Sequence, residues 1–192
     1  MSIAEPSKAS ARLHEFFWLK VMKGYYRKFV ESFGLKGDEK VLDFGCGPGA
    51  TSKFIAQALE KRGGELTCLD LSQTWIERAR KNLSEYSNVE YYALDIRKWG
   101  EKNGHFDVIV IHFMLHDIDK SERKEVVKEL AKKMKADAKL YIREPTKESH
   151  GMRPEEIQEL MFECGLKETE SKTGKSFILG ALYTGVFSKI NS

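Results

Sequence analysis

Apolar residues recur along this chain in two rhythms. From about residue 9 to 33, Leu13, Phe16, Phe17, Val21, Tyr25, Phe29 and Val30 fall close to helical spacing, which predicts one or two amphipathic helices. Two roles stay open for them: packing on a core, or a lid over a site. Past Gly37 the rhythm changes. Short apolar runs at Lys40–Phe44, Glu65–Leu69, Val89–Leu94, Phe106–His112 and Lys139–Arg143 read as strands. Helical faces alternate with them: Phe54, Ile55, Ala58 and Leu59, then Trp75, Ile76, Ala79 and Leu83, then Val126, Val127, Leu130, Ala131 and Met134. Pro154 with Glu155 and Glu156 reads as a helix start and Gly165 as its stop. The stretch Leu166–Ile190 has no helical period and fits two strands joined by a turn, Ala181–Ser188 being the firmer. The pattern predicts an α/β fold: a doubly wound, mostly parallel seven-stranded sheet with a C-terminal antiparallel hairpin and an N-terminal helical segment.

Composition narrows this picture little. A length of 192 residues suits one domain, with residues 1–36 as a helical cap and 37–192 as the α/β core. An apolar content of 41% fits a soluble globular protein. No run reaches membrane-spanning length and the N-terminus lacks the apolar core of a signal peptide, so a cytoplasmic location is expected. The formal charge of +3 neither demands nor excludes nucleic acid. The lysines of Lys120–Lys139 read as a solvated face. Cys46, Cys68 and Cys164 form neither a disulfide framework nor a zinc spacing, and no metal is expected.

The chemistry gathers where strands end. Val41-Leu42-Asp43-Phe44-Gly45-Cys46-Gly47-Pro48-Gly49 is an apolar strand that closes on an acid and turns through three glycines toward a helix. Glycines there permit tight dihedrals and close approach of a ligand to the backbone. Asp70 follows the second strand and Asp95 the third, at intervals of 27 and 25 residues from Asp43 onward. Each interval suits one βα unit plus a strand, which sets three carboxylates along one sheet edge, the edge where ligands bind in such sheets. Asp107 begins its strand and belongs at the opposite edge. A carboxylate after the second strand can accept both ribose hydroxyl protons. Asp95 can accept from an adenine amino group, and Asp43 can balance a cationic amine. A rim of acids suits a positively charged cofactor and disfavours one rich in phosphate.

This pattern resembles the class I S-adenosylmethionine-dependent methyltransferases, which are Rossmann-like, over roughly Lys36 to Ser188. Val41–Gly49 looks like the family's first motif, Leu69-Asp70-Leu71-Ser72 the second and Ala93-Leu94-Asp95-Ile96 the third. Phe106–Ile118 resembles the fourth strand and its exit loop, and Glu168 onward the closing antiparallel strands. The resemblance implies S-adenosylmethionine as cofactor and S-adenosylhomocysteine as product. It places the loop Gly45, Cys46, Gly47 and Gly49 along the cofactor, with Gly45 and Gly47 against its methionine part; Cys46 in that loop reads as small filler. Asp43 would help hold the amino group and Asp70 the ribose. Leu71 would pack on the adenine, with Asp95 and Ile96 on its other side. His112 occupies a position whose backbone faces the methionine moiety, where a small polar residue is more usual.

A nicotinamide dehydrogenase is a rival: Gly49 falls one place early for its G-x-G-x-x-G fingerprint, but Ala50 at the last position is tolerated, so spacing does not decide, and the Asp before the first glycine and the acid after the third strand tilt the balance away from it. Methyl transfer from a sulfonium is an in-line displacement, and a general base is needed only where the nucleophile arrives protonated. His112 and His116 are the candidate catalytic residues; on a helical turn they would share a face. Phe113, His116, Arg143, His150 and Tyr25 are candidates for the acceptor pocket. No Asn-Pro-Pro-Tyr run follows the fourth strand and no accessory RNA-binding domain fits, so a small-molecule acceptor is expected, with no membrane or nucleic-acid partner and a homo-oligomer left open. RNA or protein methylation, or a non-catalytic cofactor-binding module, are the alternatives.

Overall fold

A computed structural model describes residues 19, 21–100, 102–147, 151–176 and 178–190. Leu13, Phe16, Phe17 and His150 lie outside them. The chain divides into two compact units, residues 2–95 and 96–192.

The first unit opens on helix α1 (Lys23–Glu31), which buries Tyr26, Phe29 and Val30 on one face. Phe29 meets Phe33 edge-on, ring centroids 4.7 Å apart. Strand β1 (Lys40–Phe44), helix α2 (Ser52–Leu59), β2 (Glu65–Asp70), α3 (Gln73–Asn82) and β3 (Val89–Ala93) follow. All pairings are parallel, in the order β3-β2-β1, with Asp43 beside Cys68 and Asp70 beside Ala93. Val41, Leu42, Leu66 and Cys68 are wholly buried because a parallel strand is covered on both faces. On α2 the core residues are Phe54, Ile55, Ala56 and Leu59; Ala58 faces outward, contrary to the helical face read from sequence. Helix α3 starts on a Ser72 cap, whose Oγ accepts the Trp75 N–H at 3.2 Å, and ends on Arg80 and Lys81 in favourable register with the helix dipole.

The second unit carries β4 (Phe106–His112), α4 (Lys120–Lys133), β5 (Met134–Pro145), α5 (Pro154–Glu163), β6 (Leu166–Ser176) and β7 (Gly180–Lys189). Its strand order is β4-β5-β7-β6, parallel between β4 and β5 and antiparallel thereafter. The run Val108–Ile111 is buried, as a central parallel strand requires. Helix α5 begins at Pro154 and is followed by Gly165 at φ +80°, the start and stop the sequence predicts. Strand β6 is exposed at nearly every residue, whereas β7 buries Leu182, Tyr183, Val186 and Phe187.

Seven strands occur among the described residues, mostly parallel and closing on an antiparallel hairpin: the Rossmann-like α/β class. No helix among the described residues is long and apolar enough to cross a membrane. One expectation fails on the lysine-rich helix. Lys133 is not on a solvated face but 1% exposed, and its Nζ donates to the Trp99 carbonyl at 2.5 Å and Asn103 Oδ1 at 2.7 Å. Asp107, at the start of β4, pairs with Lys135 at 2.6 Å.

Candidate functional site

In the first unit, the carboxyl ends of β1, β2 and β3 lie along one edge, and Asp43, Asp70 and Asp95 come with them. The turn after β1 is held to β2 by its own backbone: the Gly45 and Cys46 N–H groups donate to the Leu69 carbonyl at 2.8 and 3.2 Å. Gly45, Gly47 and Gly49 have φ of 73°, 52° and 88°, a region that penalises any side chain. Their surroundings differ. A Cβ at Gly49 would press on Leu83 at 3.2 Å, so this glycine lets the loop seat on α3. A Cβ at Gly47 would meet nothing within 4 Å, so the loop presents an open face there.

Asp70 ties two loops together. Its Oδ2 accepts the Gly47 N–H and its Oδ1 the Ser72 N–H, each at 2.9 Å. The Leu94 N–H donates to the Asp70 carbonyl at 3.1 Å, bringing the segment leading to Asp95 to the same edge. Asp95 and Leu71 are half-buried. Asp43 is 1% exposed and accepts the Ser52 hydroxyl at 2.5 Å. Burial pushes its carboxyl up to about 7; the Ser52 hydrogen bond opposes this and the Asp70 charge adds to it. The Cys46 thiol is raised as well, by its contact with Cys68 and by burial, and both cysteines are free and buried, which suits the filler role. On α1, Tyr25 is half-buried and packs edge-on against Tyr26 at 5.6 Å. Tyr26 is in electrostatic reach of Asp43: burial, then Tyr25, then Asp43 raise its hydroxyl well above the ordinary value and hold it un-ionised.

In the second unit, Ile96 is buried and opens the single turn Ile96–Lys98. His112 closes β4, and Phe113 follows at φ +55°, a left-handed conformation that a bulky residue seldom adopts. Its N–H donates to the Arg143 carbonyl at 2.9 Å and its ring lies 4.1 Å from the His112 ring. His112 is buried and its imidazole is held neutral, by burial first and the Arg143 charge second. Arg143 sits beside His112 in the β4–β5 register, is buried, and donates from Nε to Thr184 Oγ1 at 2.9 Å.

His116 stands in the turn Leu115–Asp117, so the strand end and the twisted Phe113 separate the two histidines and they do not share a helical face. Its Nδ1 lies 2.5 Å from Glu144 Oε2 and its Nε2 3.4 Å from Asp117 Oδ1. Glu144 is fully buried, and its Oε1 accepts the Met114 and Leu115 N–H groups at 3.0 and 2.7 Å. Burial pulls His116 down, but the Glu144 hydrogen bond and charge outweigh it and leave the imidazole above its ordinary value. Arg123 braces the same turn, donating to the carbonyls of Ile118 and His116 and to Glu156. Glu144 is the residue that sequence reasoning passed over. Its signal was the one that gave away Asp43: an acid closing an apolar strand.

The first unit thus offers an open, glycine-lined edge with carboxylates and backbone N–H groups, and the second a buried acid–histidine pair. No group of three or more metal-ligating side chains occurs among the described residues. The chain is 29% identical to an uncharacterized methyltransferase of Schizosaccharomyces pombe over 106 residues, 55% of this chain and 70% of that protein. Its fold is that of the N-methyltransferase NodS from Bradyrhizobium japonicum WM9, solved with S-adenosylhomocysteine (TM-score 0.73, 18% identity, covering 91% of this chain and 88% of that one). It is equally that of the 1,6-didemethyltoxoflavin-N1-methyltransferase from Burkholderia thailandensis (TM-score 0.71, 15% identity, covering 100% and 93%). The sequence pattern of the methyltransferase domain matches residues 41–137, half of the chain, from the first apolar strand and its glycine turn to the end of α4 and the start of β5. The chain therefore belongs to the methyltransferase domain family, of the class I S-adenosylmethionine-dependent type.

Proposed function

We propose that this enzyme moves the methyl group of S-adenosylmethionine to a small-molecule acceptor by in-line displacement. The observation that carries the reading is the edge shared by Asp43, Asp70 and Asp95, beside a Gly47 whose Cβ direction is open. These residues fit the cofactor chemically. Asp43, when ionised, offers the counter-charge for an ammonium. Asp70, already aimed by two backbone N–H groups, offers carboxylate oxygens to a ribose, and Asp95 with Leu71 and Ile96 flanks an adenine. The bound cofactor supplies an activated methyl on a sulfonium. The chain's task is then to align the acceptor and keep water out, and alignment contributes a large part of the rate gain open to such displacements.

A small acceptor is supported by the Burkholderia relative in fold, which was solved with 1,6-didemethyltoxoflavin bound. It is also supported by the absence of an amine-gripping Asn-Pro-Pro-Tyr run after β4. Phe113, His116 and Arg143, all of the second unit, stay its candidate pocket residues, and the sequence adds Tyr25 and His150 as further candidates.

Calorimetry with S-adenosylmethionine and S-adenosylhomocysteine tests the reading, and no binding of either at millimolar concentration rejects it. Asp70→Ala should weaken binding by about 1.5–3 kcal/mol, the range for hydrogen bonds to a charged group. Because Asp70 also pins the Gly47 loop, the variant's thermal melt must accompany the titration. An unchanged affinity contradicts the ribose assignment.

A further inference from the structure

We infer that Asn82 is the positioning residue of the glycine turn: through the Pro48 carbonyl it holds the turn, before the cofactor arrives, in the shape that receives S-adenosylmethionine. The inference rests on the proposed cofactor reading and deepens it by naming what keeps that edge of the first unit formed.

The turn needs a hold from outside. Gly45, Gly47 and Gly49 all have positive φ, and glycine leaves the backbone more freedom to lose than any other residue. Pro48 stiffens one corner but has no N–H to anchor it. The other peptide units are fixed one at a time: the Gly45 and Cys46 N–H groups donate to the Leu69 carbonyl, and the Gly47 N–H to Asp70 Oδ2. The unit between Pro48 and Gly49 is gripped on both sides. Its N–H donates to the Cys46 carbonyl at 3.0 Å, and its carbonyl accepts from Asn82 Nδ2 at 3.0 Å. A carbonyl only accepts, so the Asn82 amide must present its NH2 group there. Rotating this unit breaks both hydrogen bonds at once; without Asn82 one of the two is gone.

Asn82 is the last residue of α3, half-buried and 34 positions along the chain from Pro48. The same end of the helix backs Gly49, where a Cβ would lie 3.2 Å from Leu83 and 3.6 Å from the Ala79 Cα. At its start α3 is tied to Asp70, whose Oδ1 accepts the Ser72 N–H at 2.9 Å. One helix therefore connects Asp70 to the turn, and Asn82 is its hydrogen bond at the turn end. A turn held in advance loses little further freedom when a ligand binds. A loosened one must first be ordered, and affinity falls accordingly.

Two variants test this. Asn82→Leu keeps the size of the side chain and removes its donor. Asn82→Asp keeps its shape and turns a carboxylate toward a carbonyl that repels it. Calorimetry with S-adenosylhomocysteine, run well below each melting temperature, should show affinity lower by about 3- to 10-fold in Asn82→Leu, the reach of one hydrogen bond, and at least as low in Asn82→Asp. Amide hydrogen exchange gives a readout that a merely structural tie would not move. In the free variants the Gly47 and Gly49 N–H groups should exchange about 3-fold faster or more than in wild type, while the amides of β1 and β2 keep their wild-type rates. Saturating S-adenosylhomocysteine should close that gap. Wild-type affinity in a folded variant overturns the inference, and so does a lower melting temperature with the exchange of the turn unchanged. If neither variant folds, the free wild-type enzyme decides: a Gly49 N–H that exchanges like an open chain overturns the inference, and a protected one supports it. Failure of the wild type to bind S-adenosylhomocysteine sinks the cofactor reading instead, and the exchange rates still decide whether Asn82 holds the turn.

Discussion

Asp43 should make the protein less stable as pH rises, and Asp43→Asn should remove that loss. The carboxyl is 1% exposed, and burial lifts it from an ordinary 3.8 to about 7. The folded state therefore binds the proton more tightly than the unfolded chain. Stability from this group is fully present below the unfolded pKa and disappears as pH passes through the folded one. At 1.36 kcal/mol per pKa unit, the gap corresponds to about 4 kcal/mol in all, of which about 3 kcal/mol falls between pH 5 and 8. Asparagine keeps an acceptor for the Ser52 hydroxyl, which donates at 2.5 Å, and it carries no charge to desolvate. Urea unfolding of both proteins at pH 5 and pH 8 measures the effect. The wild type should lose about 3 kcal/mol relative to the variant, and groups common to both, His116 among them, cancel in the difference. An equal stability difference at the two pH values would refute the reasoning. The same window has a functional counterpart. If Asp43 faces the cofactor's ammonium, binding favours the ionised carboxylate, so S-adenosylhomocysteine should bind more tightly at pH 8 than at pH 6. Calorimetry in buffers of different ionisation enthalpy should show a proton released at pH 6, and Asp43→Asn should abolish both effects.

Two further perturbations probe the scaffold. Lys133→Met should destabilise the protein by about 1–3 kcal/mol, because it leaves the Trp99 carbonyl and Asn103 Oδ1 without their buried donor; a urea midpoint within error of wild type would count against it. Gly49→Ala should cost about 1–2 kcal/mol for a side chain at φ +88°, besides the 3.2 Å contact with Leu83; a melt unchanged to within a degree would show that the loop yields.

Much of the fold was legible because it is written in runs. A parallel strand covered on both faces leaves a short block of Val, Ile and Leu, and Val108–Ile111 is such a block. Helix α5 was bounded by Pro154 and Gly165, whose backbone preferences act locally. The edge that carries Asp43, Asp70 and Asp95 was legible for a related reason, since an acid breaks the apolar run and three such breaks recur at similar spacing. Other features depend on partners far along the chain. Nothing local distinguishes Lys133 from Lys132: one reaches back to Trp99 and Asn103, the other pairs in solvent with Glu129. Ala58 fits the helical period as well as Ala56 does, yet only Ala56 faces the core. The left-handed Phe113 carries no local signal either; its N–H is held by the Arg143 carbonyl on the neighbouring strand.

Glu144 belongs to a third kind, legible by a rule that was applied too narrowly. Strand-terminal acids behave according to which end they occupy. Where a parallel strand runs out at its carboxyl end, the chain turns into a loop whose N–H groups have no ladder partner. Those donors converge on whatever acceptor closes the strand. Asp70 collects Gly47 and Ser72 in this way, and Glu144 collects Met114 and Leu115. Asp107, at the amino end of β4, meets a cation instead, Lys135 at 2.6 Å, and remains partly exposed. An acid that closes an apolar strand therefore marks a buried carboxylate with fixed oxygens, and the same residue one strand-length earlier marks a surface ion pair. Applied evenly, the rule that picked out Asp43 and Asp70 also picks out Glu144, and with it the histidine that Glu144 holds.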